Sequence, residues 1–349
     1  MGQTETSHLK WRTLEPHICT FTLLINVLNK PLRDIARATR AGTRCRHPTY
    51  RPGLTSMPAD ITDSATHACL VGYARHLQRM HFGLAHALLG TSDTIQWAVQ
   101  RREVALHRPT SHRALVIGAG QGTTGTTSLA LALQILNLTT WHAAEVYRPP
   151  PGSRNIQTSW RNPFLNARGN ELIRLENNNS VVGDARACNA KLDALDYRVP
   201  SKTHAIVDSP APDSFLDFFW AHPNALVVLT TRPAEEWVNR RIAGHSDPGG
   251  LLPVDRPCGA RLTLWPRNLS AALLHAYEQL VRCVTPRHRL LELCLPCMEA
   301  APGGRSMIRL ARFLHLRTAP GLDDAFPFGR TVAARRVARR RRPSSGGSS

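Results

Sequence analysis

Residues 114–129 read Ala114-Leu-Val-Ile-Gly-Ala-Gly-Gln-Gly-Thr-Thr-Gly-Thr-Thr-Ser-Leu129. An apolar run, Leu115 to Ile117, enters a turn with glycine at 118, 120, 122 and 125, after which Leu129, Leu133 and Leu136 recur at helical spacing. That pattern predicts a buried strand, a tight glycine turn and a helix. Glycines let a backbone approach an anion closely, amides at a helix start point toward it, and hydroxyls add donors. Gly120, Gly122, Thr123, Thr124, Gly125, Thr126, Thr127 and Ser128 therefore read as a phosphate cradle. The loop is not a Walker A motif, because the Gly-Lys-Ser/Thr that places a lysine on the β- and γ-phosphates is missing. Ordinary ATP hydrolysis is not expected. Gly120, Gly122 and Gly125 do satisfy GxGxxG, and Glu145 stands where a dinucleotide fold has its ribose-binding acid. An NAD(P)-dependent Rossmann oxidoreductase is therefore an open alternative on this evidence.

Outward from the loop, strand-like runs at 205–208, 225–231 and 289–293 alternate with helix-like segments at 213–222, 234–243 and 270–284. Such alternation implies a mainly parallel sheet covered by helices on both faces, with ligands beyond the carboxyl ends of its strands. The fold class is α/β, a three-layer P-loop NTPase-like domain. We place it at 113–328, with a less regular, partly helical extension at 1–112 and a disordered basic tail at 329–349. His76, His81 and His86 recur every five residues in the extension, a spacing that rotates around a helix instead of staying on one face.

The chain has 349 residues, and 44 Lys and Arg against 25 Asp and Glu give a formal net charge of +19. That balance favours polyanionic partners without choosing among them. Four consecutive arginines, Arg339 to Arg342, make the tail the one element suited to nucleic acid. Eight scattered cysteines in a chain this long do not require a disulfide framework, so reduced thiols are expected, and Cys294 and Cys297 form a CxxC without the second pair that zinc needs. No metal site is predicted. The early apolar run, Ile18 to Leu28, is too short to span a bilayer, which needs about 20 residues. The expectation is a soluble, cytoplasmic protein, in which the sequons at Asn137, Asn178 and Asn268 have no use.

Several segments together resemble the P-loop sulfotransferase superfamily. The Gly118–Leu129 loop is similar to that family's Gly-x-Gly-x-x-Arg-Thr-Gly-Thr-x-Ser-Leu, and Trp141-His-Ala-Ala-Glu-Val146 is similar to its His-Met-x-Glu-Val segment. Val207-Asp-Ser-Pro210 resembles its Asp-x-Pro strand end, and His222 to Trp237 its Tyr-Pro…Thr-x-Arg-Asp-Pro-x-x-Trp stretch. The resemblance runs from about 115 to 328. It implies transfer of a sulfonyl group from 3′-phosphoadenosine-5′-phosphosulfate (PAPS) to an acceptor hydroxyl or amine. The loop would grip the 5′-phosphosulfate, Arg232 the 3′-phosphate, and Arg240 stands where the family has a second 3′-phosphate ligand, a serine. His142 is the first candidate for the base that takes the acceptor proton, with Asp208 and Glu145 as alternates. Two departures point toward a nucleotide-binding, non-catalytic relative: Thr123 occupies the family's loop cation position, and Arg240 replaces the serine. Arg113 or Arg240 is the neighbour expected to replace the missing cation.

Overall fold

The computed structural model describes residues 59–89, 114–142, 145–146, 174–176, 180–183, 185–199, 202–244, 250–294, 305–316 and 326–327. They belong to one unit, Ala59–Ser349. The basic tail, the Ile18–Leu28 run and Arg113 lie outside the described residues.

The strands are β1 (Val116–Gly118), β2 (Thr140–His142), β3 (Glu145–Val146), β4 (Arg174–Leu175), β5 (Val181–Val182), β6 (Ala205–Val207), β7 (Leu226–Thr231) and β8 (Leu290–Cys294). The helices are α1 (Ala59–Met80), α2 (Phe82–Leu89), α3 (Thr126–Ile135), α4 (Arg186–Asp193), α5 (Phe215–Ala221), α6 (Ala234–Gly244), α7 (Arg267–Val284) and α8 (Arg305–Phe313). Strand, glycine turn and helix follow one another as the loop sequence predicts, and the later strands and helices fall within a few residues of their expected bounds.

One sheet has the order β3-β2-β6-β1-β7-β8. Its strands β2, β6, β1, β7 and β8 are parallel, and β3 pairs antiparallel at the edge. A dinucleotide-binding sheet puts its second strand beside its first; here β6 stands between β1 and β2, which separates this fold from the Rossmann alternative. The chain leaves β1 in one direction toward β2 and β6 and later resumes on the other side at β7. The crevice at the carboxyl end of β1 is therefore where a ligand of such a sheet binds.

Alternating side chains fill both faces of this sheet. Ile117, Ile206, Val227 and Leu229 join a core with α5, α7 and the N-terminal pair α1 and α2, whereas Val116, Val207, Val228 and Leu291 face α3 and α8. Strands buried on both faces read as unbroken apolar runs, which is why Leu226 to Leu229 shows no polar alternation. Helix α1 packs along α7, and Cys69 is disulfide-bonded to Cys283 between them. Within the extension, His81 breaks α1 from α2, and its Nδ1 accepts the Leu84 N–H at 3.1 Å.

The expectation of reduced thiols is overturned. Besides Cys69–Cys283, Cys188 is bonded to Cys258, and Cys294 is disulfide-bonded as well. The sequence reading erred because chain length says only that disulfides are unnecessary for a core, not that they are absent.

Beside the second bridge, Arg256 is 1% exposed and donates from Nε and Nη2 to both oxygens of Asp217 at 3.0 and 2.9 Å, and from Nη1 to Asp193 at 2.5 Å. Burial pushes the guanidinium's pKa down, but the two carboxylates outweigh it and raise the pKa above the usual arginine value. This fork ties the loop before Cys258 to α4 and α5. Replacing Arg256 with Ala leaves the Asp217 carboxylate buried without its cation, so a loss of about 3–5 kcal/mol is expected in urea denaturation.

Candidate functional site

The glycine loop passes close to its neighbours at two points. A Cβ at Gly120 would lie 1.9 Å from Thr230 Oγ1 and 2.7 Å from Thr124 Oγ1, and one at Gly122 would lie 2.0 Å from Arg241 Nη1. Thr124 and Thr230 meet at 2.7 Å across the space that Gly120 leaves open. Gly125 takes φ 115°, a conformation that L side chains rarely adopt, and Thr123 takes φ 71°. For a β-branched residue this left-handed conformation costs about 1–3 kcal/mol and persists only where surroundings enforce it.

The loop's carbonyls are tied back into the protein. Tyr277 Oη donates to Ala119 O at 2.8 Å, Trp237 Nε1 to Gly122 O at 2.8 Å, and Thr124 Oγ1 to Gln121 O at 2.6 Å. Carbonyl oxygens repel anions, so tying three of them to protein donors lessens that part of the loop's repulsion toward an anion. Two buried donors on the same loop, Gln121 Nε2 and Thr123 Oγ1, have no hydrogen-bond partner among the described residues. Glycines too crowded for a side chain and unspent buried donors fit the phosphate end of a nucleotide.

His142 closes β2 and is 4% exposed. Its Nε2 stands 3.2 Å from Thr127 Oγ1, 3.3 Å from Thr126 Oγ1 and 3.3 Å from Asp208 Oδ2. Asp208 follows β6 at φ 65°, and its carboxylate is 17% exposed, the more open of the pair. Asp208 Oδ1 would lie 3.1 Å from a Cβ at Gly122, so the pair borders the loop. The turn after Asp208 is held by Ser209, whose hydroxyl donates to the buried Asp213 carboxylate. Glu145 is the register partner of His142 in the antiparallel pair β2–β3, and its side chain lies outside the described residues.

Arg232 directly follows β7 with its side chain 8% exposed, and its Nη1 donates to Glu236 at 2.6 Å. Its buried Nε has no hydrogen-bond partner among the described residues. Arg240 is 58% exposed and pairs through Nε with the same Glu236 at 2.8 Å. Glu236 thus gathers the two arginines assigned to the 3′-phosphate, where a bound phosphate would compete with it for both. Sequence reasoning missed Trp237, Tyr277 and Thr230 as loop supports. Thr230 carried a faint signal, a hydroxyl at the end of an otherwise apolar strand; Tyr277 carried none. Among the described residues no group of three or more His, Cys, Asp or Glu is arranged to hold a metal, and no helix is long and apolar enough to cross a membrane.

Residues 115–240, from β1 through the arginine on α6, match the family model described as sulfotransferase domain. This part of the chain is sulfotransferase-like. The matched residues contain the glycine loop, the His142–Asp208 pair and both Glu236-linked arginines. A crystal structure of sulfotransferase STF1 from Mycobacterium tuberculosis H37Rv aligns at 14% identity and a TM-score of 0.33, over 76% of this chain and 91% of that one. No curated protein matches the chain.

The sulfotransferase-like segment makes a sharp prediction at Gly120. Substitution by Ala puts a methyl group onto Thr230 and its backbone oxygen, the latter 2.7 Å away, where β7 cannot give way. The loop must therefore move. The expected result is a loss of about 1–3 kcal/mol of stability, read by thermal melting.

Proposed function

We propose that this protein transfers a sulfonyl group from PAPS to a hydroxyl or amine acceptor. The observation that carries the reading is the placement, at the carboxyl ends of the parallel strands β1, β2, β6 and β7, of the glycine loop with its unspent donors, the His142–Asp208 pair and Arg232. Gly122 to Ser128 hold the 5′-phosphosulfate, and Arg232 with Arg240 the 3′-phosphate. The acceptor oxygen or nitrogen attacks sulfur. As that bond forms, the bond between sulfur and the bridging oxygen breaks, and the oxygen leaves with the electron pair as the 5′-phosphate of adenosine 3′,5′-bisphosphate. The acceptor's proton passes to the His142–Asp208 pair. Asp208, being more open, meets the acceptor, while His142 orients the carboxylate against the Thr126 and Thr127 hydroxyls at the start of α3.

Thr123 in the family's cation position supports a second reading, a relative that binds the nucleotide without turnover. The thiols bear on location. With Cys69, Cys188, Cys258, Cys283 and Cys294 all bonded, an oxidising compartment suits the chain better than the cytoplasm expected from its sequence.

The test of the catalytic reading is transfer of labelled sulfonate from PAPS to a panel of phenols, sugars and amines. His142→Ala is expected to lower turnover about 10²–10⁴-fold while nucleotide affinity stays within severalfold. Asp208→Asn should also lose turnover, and the double variant should fall no further than the worse single one, because both groups act on one proton. Wild-type turnover in both single variants would overturn the pair's role; nucleotide binding without turnover on any acceptor would favour the second reading.

A further inference from the structure

The loop lacks the cation its relatives carry, yet a guanidinium lies directly over it. Arg241 stands one helical turn after Trp237 on α6, so the two side chains share a face. Trp237 donates to the Gly122 carbonyl, and Arg241 lies over that same glycine, with Nη1 2.0 Å from where a Cβ would be. On its other side the guanidinium is flanked by Gly250, at φ 52°, where a Cβ would lie 2.9 Å from Nε and 3.2 Å from Nη2. Two glycines thus make the slot in which this guanidinium lies. At either one, a side chain would expel it.

Of the two neighbours expected from the sequence to replace the cation, only Arg240 is among the described residues. Arg240 is largely exposed and tied to Glu236, and Arg113 lies outside the described residues.

We propose that Arg241 is the cation of the glycine loop, pairing with the 5′-side phosphosulfate and neutralising the charge that gathers on the bridging oxygen as its bond to sulfur breaks. This rests on the PAPS reading above. Its physical necessity comes from Asp208, whose Oδ1 approaches the same point over Gly122. Without a cation beside it, that carboxylate would repel any phosphate entering the loop. The guanidinium offsets the repulsion and offers a planar fork to the anion, so Thr123 need carry no charge. The cation has moved from the loop to the helix that braces it.

Calorimetric titration of the full chain separates this role from a structural one. The ligands are adenosine 3′,5′-bisphosphate and adenosine 3′-monophosphate, which lacks the 5′ group. Arg241→Gln is expected to weaken the bisphosphate about ten- to hundredfold while leaving the monophosphate within severalfold. Arg241→Lys should recover part of the loss, and Arg309→Gln on the exposed side of α8 should match wild type. If the Gln variant does not fold, the Lys variant carries the comparison with a smaller loss in the same pattern. Undiminished bisphosphate affinity, or equal loss for both nucleotides, would overturn the assignment. A wild type that binds neither nucleotide defeats the PAPS reading instead. Inorganic pyrophosphate then decides Arg241: raising the melting temperature of wild type but not of Arg241→Gln upholds it, and an equal or absent response overturns it.

Discussion

Gly120 has no room for a side chain, and much of the site follows from that. The loop can lie against β7 only because Gly120 leaves space for Thr230 and Thr124 to meet hydroxyl to hydroxyl. Once seated there, its carbonyls fall within reach of Tyr277 on α7 and Trp237 on α6, and α3 starts with its hydroxyls beside His142. Three helices and two strands are thereby tied to one short loop. A loop held this way is preorganised: its path is fixed before any ligand arrives, so little further ordering would oppose binding.

The same loop brings opposite charges into close quarters. Asp208 and the arginines linked through Glu236 lie within the segment that matches the sulfotransferase domain, and Arg241 follows directly after it. On the proposed reading, a carboxylate beside a phosphate is offset by these neighbouring guanidinium groups. Away from the site, Arg256 and the bonded cysteines Cys188 and Cys258 brace the loop region that precedes α7, so the frame around the crevice is held by a buried ion pair and a covalent link as well as by apolar packing.

What the sequence made legible was whatever depends on local pattern. The Leu115–Leu129 stretch announces strand, turn and helix because glycine spacing and helical leucines are short-range signals, and the uninterrupted run before Arg232 announces a strand buried on both faces. His142, Asp208 and Arg232 were legible as candidates because the family resemblance singles them out and they fall at strand ends of a parallel sheet, where such folds place their ligands. Long-range placement was not legible. Nothing in the α7 sequence shows that Tyr277 reaches the Ala119 carbonyl, and Arg240 and Arg241 are adjacent arginines whose difference is a rotation of about 100° around a helix. That rotation sends one to Glu236 in solvent and the other over Gly122. The cysteine pairings were hidden for the same reason, since Cys69 and Cys283 are distant in sequence and meet only when α1 lies along α7.

The account's central claim is that the glycine loop and Arg232 together hold a nucleotide phosphorylated on both sides of its ribose, and paired calorimetric titrations with adenosine 3′,5′-bisphosphate and with NAD test it most directly. The account predicts saturable binding of the bisphosphate with a matching rise in melting temperature, and no comparable response to NAD. Saturable binding of NAD with no response to the bisphosphate would contradict it.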